Sequence, residues 1–336
     1  MKTNKEQASK KMMQLITAKW ISKPIYVVVK LGIPDILTNG PLSITEIAER
    51  CNAHAPFLLQ IMKALASIKI FREKENQVFE LTEMAECLKK DSMRDIVLML
   101  LSDWHDAAWN CLLESIQTGK VAFNLAHGEP AFDWLNKNPE IAEIVCKANT
   151  IKAAGSFVPL VNVYDFSNVR NVIDIGGGYG VLMTSILKAN PHLSGCILDL
   201  PFVLRNTEVF IKDENLEQRC KLQDCDFFKE IPKGYDMYLM SNIIHDWDDE
   251  KCKIILKNCF NAMGPDTKLL IIEMIIPTGN NFSIVRLLDL EVLVMGGGKE
   301  RTEIEYRNLI KSAGFYINNI IPVNNDVSII ECIKKR

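Results

Sequence analysis

The chain has 336 residues, the length of about two domains of ~150 residues each, and 48% of them are hydrophobic, enough for a sizeable core. A formal net charge of −3 lacks the basic excess of a general nucleic-acid binder, so no nucleic-acid partner is expected. The longest apolar runs, "IVLMLL" and "LLIIEMII", fall far short of the roughly 20 residues that span a bilayer, so no membrane partner is expected either.

The first 30 residues are locally basic, through Lys2, Lys5, Lys10, Lys11, Lys19, Lys23 and Lys30. They hold no apolar h-region followed by a small-residue cleavage site, so a cytoplasmic location is expected rather than secretion. None of the ten cysteines forms a C-x-x-C pair, and several fall on the apolar phase of helix- or strand-like segments. They are read as buried, reduced thiols rather than as a zinc site or a disulfide framework.

"SITE" at 43–46 is a capping box, with Ser43 as N-cap and Glu46 reaching back. Ile44, Ile47, Ala48 and Cys51 then recur at helical spacing. After the turn "NAHAP", a second helix carries Leu58, Ile61, Met62 and Leu65 on one face, and "IFREKENQVFELT" reads as two short strands around a polar hairpin. Helix, turn, helix, hairpin is a winged-helix layout. Its second helix has a single cation, Lys63, too few for phosphate contacts, so packing or dimerisation is expected rather than DNA binding. Residues 95–160 read as helical and rich in large apolar side chains. Trp104, Trp109, Phe123, Phe132 and Trp134 are expected mostly in the core, some of them lining an aromatic pocket.

Near residue 165 the pattern changes to short apolar runs alternating with amphipathic helices, the mark of a parallel βαβ sheet. The strands are "VRNVIDI", "SGCILDLP", "CKLQDCDFF", "YDMYLMSN" and "TKLLIIEMIIP", with two closing strands around "INNIIPV" and "DVSIIECIK". Helices are expected at "GVLMTSILKANP", at "DDEKCKIILKNCFNAMGP" behind Asp248 as N-cap, and at "TEIEYRNLIKSAGF" with a second capping box, Thr302 and Glu305.

The first of these strands runs into "DIGGGYG". In an open parallel sheet, ligands sit beyond the carboxyl ends of the strands, where this glycine turn and Asp199 both lie. A carboxylate 21 residues past Gly178 can accept hydrogen bonds from both hydroxyls of a ribose, so the ligand is of adenosine type. A dinucleotide fingerprint would place Gly176 and Gly178 in its first two positions, but its third falls on Val181. S-adenosylmethionine, which has no phosphate, is the competing ligand. Beyond it, His245 follows the fourth strand, Glu273 ends the fifth, and Glu300 follows a second glycine run. Three such groups converge on one rim of the sheet, although each alone reads equally as a packed or solvated residue.

From about residue 20 to the end, the chain resembles the class I S-adenosylmethionine-dependent O-methyltransferases. Within them it is similar to the group that contains plant caffeate and isoflavone enzymes, acetylserotonin methyltransferase and bacterial aromatic polyketide methyltransferases. The motifs that carry the likeness are "DIGGGYG", "LDLP", "DCDFF", "HDWDD", "IIEMIIP" and "GGGKERT…AGF". The resemblance implies a winged-helix dimerisation domain at 1–95 and a catalytic domain at 96–336. The latter comprises a helical lead-in, 96–164, and a Rossmann-like, doubly wound α/β core, 165–336. It implies S-adenosyl-L-methionine as cofactor, a homodimer, and a phenolic hydroxyl of a small aromatic molecule as acceptor. Aromatic polyketides such as anthraquinones are the favoured class.

The same resemblance gives Gly176 and Gly178 the methionine portion of the cofactor, Asp199 the ribose, and Asp226 the adenine amino group, with Phe227 packed on the ring. It makes His245 the general base, flanked by Glu273 and Glu300. Plant members usually carry Lys where this chain has Ser241; a serine there can still donate a hydrogen bond to the cofactor. "HDWDD" could be read as a metal site, but Asp248 and Asp249 open a helix, where carboxylates are favoured anyway, and no metal is expected. The alternatives are an NAD(P)-dependent oxidoreductase, a non-enzymatic scaffold, or a same-fold enzyme with altered chemistry such as C-methylation, hydroxylation or decarboxylation.

Overall fold

The computed structural model describes residues 4–157 and 159–335. The chain forms two compact units, Met1–Asp106 with Glu140–Ile151 and Ala107–Pro139 with Lys152–Arg336.

The first unit opens with α1 (Asn4–Ile16) and α2 (Lys19–Lys30), followed by β1 (Leu42–Ser43), α3 (Ile44–Arg50), α4 (Ala55–Ser67), β2 (Phe71–Lys74) and β3 (Val78–Leu81). The capping box forms as expected: Glu46 N donates to Ser43 Oγ at 3.3 Å, and Ser43 N donates to Glu46 Oε2 at 2.8 Å. The apolar phase of α4 buries Leu58, Met62 and Leu65 against Val28, Ile47, Phe71 and Phe79. The three strands pair antiparallel in the order β1-β3-β2, so the wing is present. Lys63, the cation of the second helix, faces Glu73 at 3.7 Å.

The second unit is built on an eight-stranded sheet. In chain order its elements are β4 (Asn171–Ile175), α5 (Val181–Ala189), β5 (Ser194–Asp199), α6 (Pro201–Asp213), β6 (Cys220–Asp224), β7 (Met237–Ser241), α7 (Asp249–Ala262), β8 (Lys268–Ile276), α8 (Ile284–Gly296), β9 (Arg301–Thr302), α9 (Glu303–Ser312), β10 (Phe315–Pro322) and β11 (Val327–Lys334). The strand order is β10-β11-β8-β7-β4-β5-β6, with β9 paired to β8. From β8 to β6 all neighbours are parallel; β11 runs antiparallel to β8 and β10 antiparallel to β11.

Side chains alternate across a strand, so each strand feeds two cores. Ile173, Ile175, Tyr238, Met240, Leu269 and Ile271 pack under α7 and α9, while Val172, Ile197, Leu239, Leu270 and Ile272 pack under α5. The sheet is therefore doubly wound. β4 lies at its centre between β5 and β7, where the strand order switches direction, and the crevice of such folds opens at that carboxyl end.

Candidate active site

The chain leaves β4 through a glycine turn. Gly176 and Gly178 have φ of +69° and +55°, a region that costs any residue with a Cβ. A Cβ at Gly176 would collide with the Ile243 side chain, whereas one at Gly178 would meet nothing within 4 Å. Gly178 thus lines open space at the crevice. Its N–H donates to Asp199 Oδ2 at 2.8 Å, and Leu200 N donates to Oδ1 at 2.7 Å. Burial pushes the Asp199 carboxyl up, and these two backbone donors oppose that shift.

Cys225 N donates to Asp199 O at 3.2 Å, which brings the loop after β6 alongside. There Asp226 Oδ1 accepts from Phe228 N at 3.0 Å, and Oδ2 faces Lys229 at 3.1 Å. The Phe227 ring lies against the glycine turn, with Cε1 3.7 Å from where a Gly176 Cβ would stand. Ser241 ends β7; its Oγ is buried and has no hydrogen-bond partner among the described residues. Both carboxyl oxygens of Asp174 are in the same condition, and burial, with the Asp199 charge, pushes this acid up to about 8. A crevice with an open glycine wall, a carboxylate at the end of β5 and orphaned buried polar atoms fits S-adenosyl-L-methionine. Asp174 is not among the residues singled out from the sequence. A charge inside "NVIDI" was the available signal for it.

The second group of residues lies after β7, before β9 and on β8, where Glu273 sits three residues inside the strand rather than at its end, because β8 runs on to Ile276. His245 sits in a 3-10 turn, Ile244–Asp246. Glu273, fully buried on β8, accepts through Oε1 from Ile243 N at 3.0 Å and Ile244 N at 2.8 Å, so it pins the start of that turn. Its Oε2 lies 3.5 Å from His245 Nδ1. Glu300 Oε1 lies 2.8 Å from the same nitrogen, and Glu300 N donates to Asp289 Oδ1 of α8 at 2.8 Å. His245 Nε2 is 3.5 Å from Asp246 Oδ1. Burial alone would lower the imidazole, but the carboxylates of Glu273, Asp246 and Glu300 outweigh it and push His245 up to about 10. Burial likewise pushes Glu273 up to about 7.

The three side chains expected to converge do so. Their ligand-capable atoms lie within 4.8 Å of one another, a spacing that could also hold a metal ion. The alternative carboxylates of "HDWDD" are committed elsewhere. Asp248 caps α7 by accepting from Lys251 N at 2.8 Å, and Asp249 pairs with Arg301 at 2.8 Å.

Aromatic side chains flank this turn. Phe132 stacks on Trp247 with centroids 5.9 Å apart, and Trp247 meets Phe228 edge-on at 4.8 Å and Phe227 at 6.4 Å. Phe123 is fully buried beside Trp134, as a core aromatic. Trp109 Nε1 donates to Glu291 of α8 at 3.0 Å. Trp104 belongs to the first unit.

A sheet with this switch point, glycine turn and acidic strand end defines a Rossmann-like methyltransferase, and comparison with known proteins agrees. Residues 109–316 match the O-methyltransferase domain and residues 13–91 the O-methyltransferase dimerisation domain. The chain is similar to the phenazine O-methyltransferase PhzM of Lysobacter antibioticus, 36% identical over 95% of this chain and 94% of the relative. Its fold matches the mitomycin 7-O-methyltransferase MmcR, with TM-score 0.94 and 30% identity over 98% of this chain and 99% of that one. It also matches the neocarzinostatin-biosynthesis O-methyltransferase NcsB1, solved with S-adenosylmethionine and 2-hydroxy-5-methyl naphthoic acid. There the TM-score is 0.84 and identity 28%, over 94% of this chain and 96% of that one. The chain belongs to this O-methyltransferase family, and it is an S-adenosyl-L-methionine-dependent O-methyltransferase. Among the described residues, no helix is long and apolar enough to cross a membrane.

Proposed function

We propose that this enzyme methylates a phenolic hydroxyl of a small aromatic molecule in secondary metabolism, with His245 as general base. The observation that carries the base assignment is the 2.8 Å contact between His245 Nδ1 and Glu300 Oε1. A carboxylate there keeps the proton on Nδ1 and leaves Nε2 to accept one. The acceptor class rests on the aromatic row Phe132, Trp247 and Phe228 beside the His245 turn. It rests also on the aromatic ligand of NcsB1 and the phenazine named for the Lysobacter relative. An aromatic polyketide such as an anthraquinone is the narrower class that the sequence favours.

The chemistry divides between two groups of side chains. When bound, S-adenosyl-L-methionine supplies a sulfonium methyl group for in-line attack by the acceptor oxygen. Gly176 and Gly178 would let the methionine portion approach the backbone, and Asp199 would accept from the ribose hydroxyls. Asp226 would accept from the adenine amino group with Phe227 packed on the ring, and Ser241 would donate its unpartnered hydroxyl. His245 Nε2 takes the phenolic proton as the oxygen–methyl bond forms. A phenol titrates near ~10, so an imidazole raised by its carboxylates accepts that proton at little cost. Glu300 and Glu273 stabilise the imidazolium that results.

Residues 1–95 are assigned to dimerisation and 96–336 to catalysis, in a cytoplasmic homodimer. All ten cysteines are free, as a reducing compartment keeps them. On α1 and the start of α2, Met12, Met13, Leu15, Ile16 and Trp20 are exposed and α1 buries none of its residues, a face suited to a second copy. Light scattering that gives a monomer at micromolar concentration would overturn the dimer.

The test of the catalytic reading is product mass spectrometry with labelled cofactor over a panel of phenols of graded acidity, for the native enzyme and His245→Ala. The variant is expected to lose ~10²–10⁴ in kcat, less for the more acidic phenols, with S-adenosylhomocysteine affinity kept. A loss that is flat across the panel and follows a falling Tm removes His245 from the base role.

A further inference from the structure

We infer that Arg301 is a positioning residue for methyl transfer, clamping the turn that carries His245. The inference rests on the reading of His245 as base and names a residue that touches neither cofactor nor acceptor. Arg301 is fully buried, the place where an unanswered guanidinium is least tolerable. Each of its five N–H donors is answered by oxygen. Nη1 donates to Ile244 O at 2.9 Å and Lys299 O at 3.3 Å, and Nη2 donates to Trp247 O at 2.9 Å and Asp249 Oδ1 at 2.8 Å. Nε donates to Asp249 Oδ1 at 3.2 Å.

The pattern of these acceptors gives the residue its meaning. Ile244 and Trp247 bracket His245 and Asp246, so one planar group holds the carbonyls on both sides of the catalytic turn. The residue before Arg301 is Glu300, which holds the imidazole itself. Two consecutive side chains of one segment thus grip the same turn, one by its ring and one by its backbone. A third link, Lys299 N donating to His245 O at 2.9 Å, ties the two segments directly.

The gripping segment is itself anchored. β9, which begins at Arg301, pairs with Ile275 and Ile276 of β8, the strand that carries Glu273. Behind it, Thr302 N donates to Glu305 Oε2 at 2.8 Å in the capping box of α9. Arg301 thus holds the His245 turn against an anchored segment, and with the Lys299 link it keeps His245 within reach of Glu300. Lysine cannot replace it: a single ammonium cannot reach carbonyls on both sides of a turn and a carboxylate beyond them.

The experiment is Arg301→Lys, which keeps the charge and removes the fork, measured alone and combined with His245→Ala. A misplacement of about 1 Å costs on the order of 10²-fold, so Arg301→Lys should lower kcat by roughly 10- to 10²-fold. Its KM and its affinity for S-adenosylhomocysteine should stay within about twofold. The acid limb of its kcat profile should move toward the ordinary imidazole value of about 6.5 as the contact with Glu300 loosens. The groups that face His245 and share that limb are Glu273 on β8, Glu300 before β9 and Asp246 on the turn, with Tyr306 of α9 and Asp289 of α8 behind them and Lys152 acting on Asp246.

In the His245→Ala background the same change should cost nothing further, since there is no imidazole left to position. An equal loss in both backgrounds overturns the proposal. So does a loss that comes with falling Tm and cofactor affinity while the acid limb stays put. If Arg301→Lys does not fold, Asp249→Asn serves instead, because it keeps every donor and removes only the opposing charge. It should show the same signature at smaller size, and native behaviour overturns the inference. If His245→Ala itself keeps native kcat, the base reading fails first and this one with it, which the series distinguishes from failure at Arg301 alone.

Discussion

Gly178→Ala separates the cofactor site from the stability of the fold. Gly178 has φ +55°, and an added Cβ meets no protein atom within 4 Å. The protein pays only for the backbone conformation, about 1–2 kcal/mol for a residue with a Cβ in the left-handed region. In a domain of about 150–250 residues, 1 kcal/mol lowers Tm by roughly 2–4 °C, so a fall of about 2–8 °C is expected. The new methyl group enters the crevice beside the N–H that Asp199 accepts at 2.8 Å. A ligand held by close backbone approach must retreat from it, and losing even ~1.4 kcal/mol of contact weakens binding tenfold. Gly234→Ala is the control. It carries φ +94° and an equally open Cβ, but lies in the loop that enters β7, at the opposite end of the strand from Ser241. Calorimetry with S-adenosylhomocysteine and thermal melts on both variants decide the matter. Both should melt lower, and only Gly178→Ala should bind at least tenfold more weakly. Native affinity in Gly178→Ala would refute the placement of the cofactor against this turn.

Asp199→Ala should weaken S-adenosylhomocysteine by about 10- to 100-fold, from the roughly 1.5–3 kcal/mol of a charged hydrogen bond, with the fold retained by circular dichroism; unchanged calorimetric affinity would contradict the ribose assignment. The acid limb of kcat/KM should lie above 6.5, because the acting form is the neutral imidazole and the surrounding carboxylates raise His245; activity then rises with pH through that limb, and a limb at or below 6.5 would count against the base. By NMR titration, S-adenosylmethionine should lower the His245 pKa relative to S-adenosylhomocysteine, since only the former carries a positive sulfur; equal shifts would place the sulfonium out of electrical reach of the imidazole.

Much of this site was legible because strands and turns write short-range signals. "DIGGGYG" and Asp199 are a strand end, a left-handed turn and the next strand end, and His245 follows β7 by the same rule, whereas Glu273, expected at a strand end, lies inside β8. The missing parts depend on long-range partners. Arg301 in "GGGKERT" looks like any solvated loop cation until its four oxygen acceptors, three of them on residues 244–249, fold around it. Asp289 and Glu291 belong to α8, whose apolar Ile284–Gly296 stretch follows a polar loop with no capping box to announce it. Pro201 closes "LDLP" as a strand exit and also opens α6, where its missing N–H costs nothing. Strand order is silent in the sequence: nothing local tells that β4 sits between β5 and β7, although that position makes the crevice.

The charge balance of the catalytic cluster explains its composition. Glu300, Glu273 and Asp246 stand 2.8, 3.5 and 3.5 Å from one imidazole; of the cations nearby, Arg301 is already answered by Asp249, and Lys152 acts on Asp246. In a base that worked alone, such crowding would be self-defeating, because it holds the proton that the base must shed before it can act. Methyl transfer from a sulfonium, however, begins with one positive charge on sulfur and ends with one on the protonated base. Beside the fixed charge of Lys152, the carboxylates then answer one moving positive charge throughout, first as sulfonium and then as imidazolium. Their buried setting makes that attraction stronger than water would allow. A neutral methyl donor would leave the cluster with excess negative charge at the start, so the three acids suit a cationic cofactor in particular. This is also why the base is one histidine among carboxylates rather than one among amides: amides would steady the ring but would not hold the charge that crosses to it.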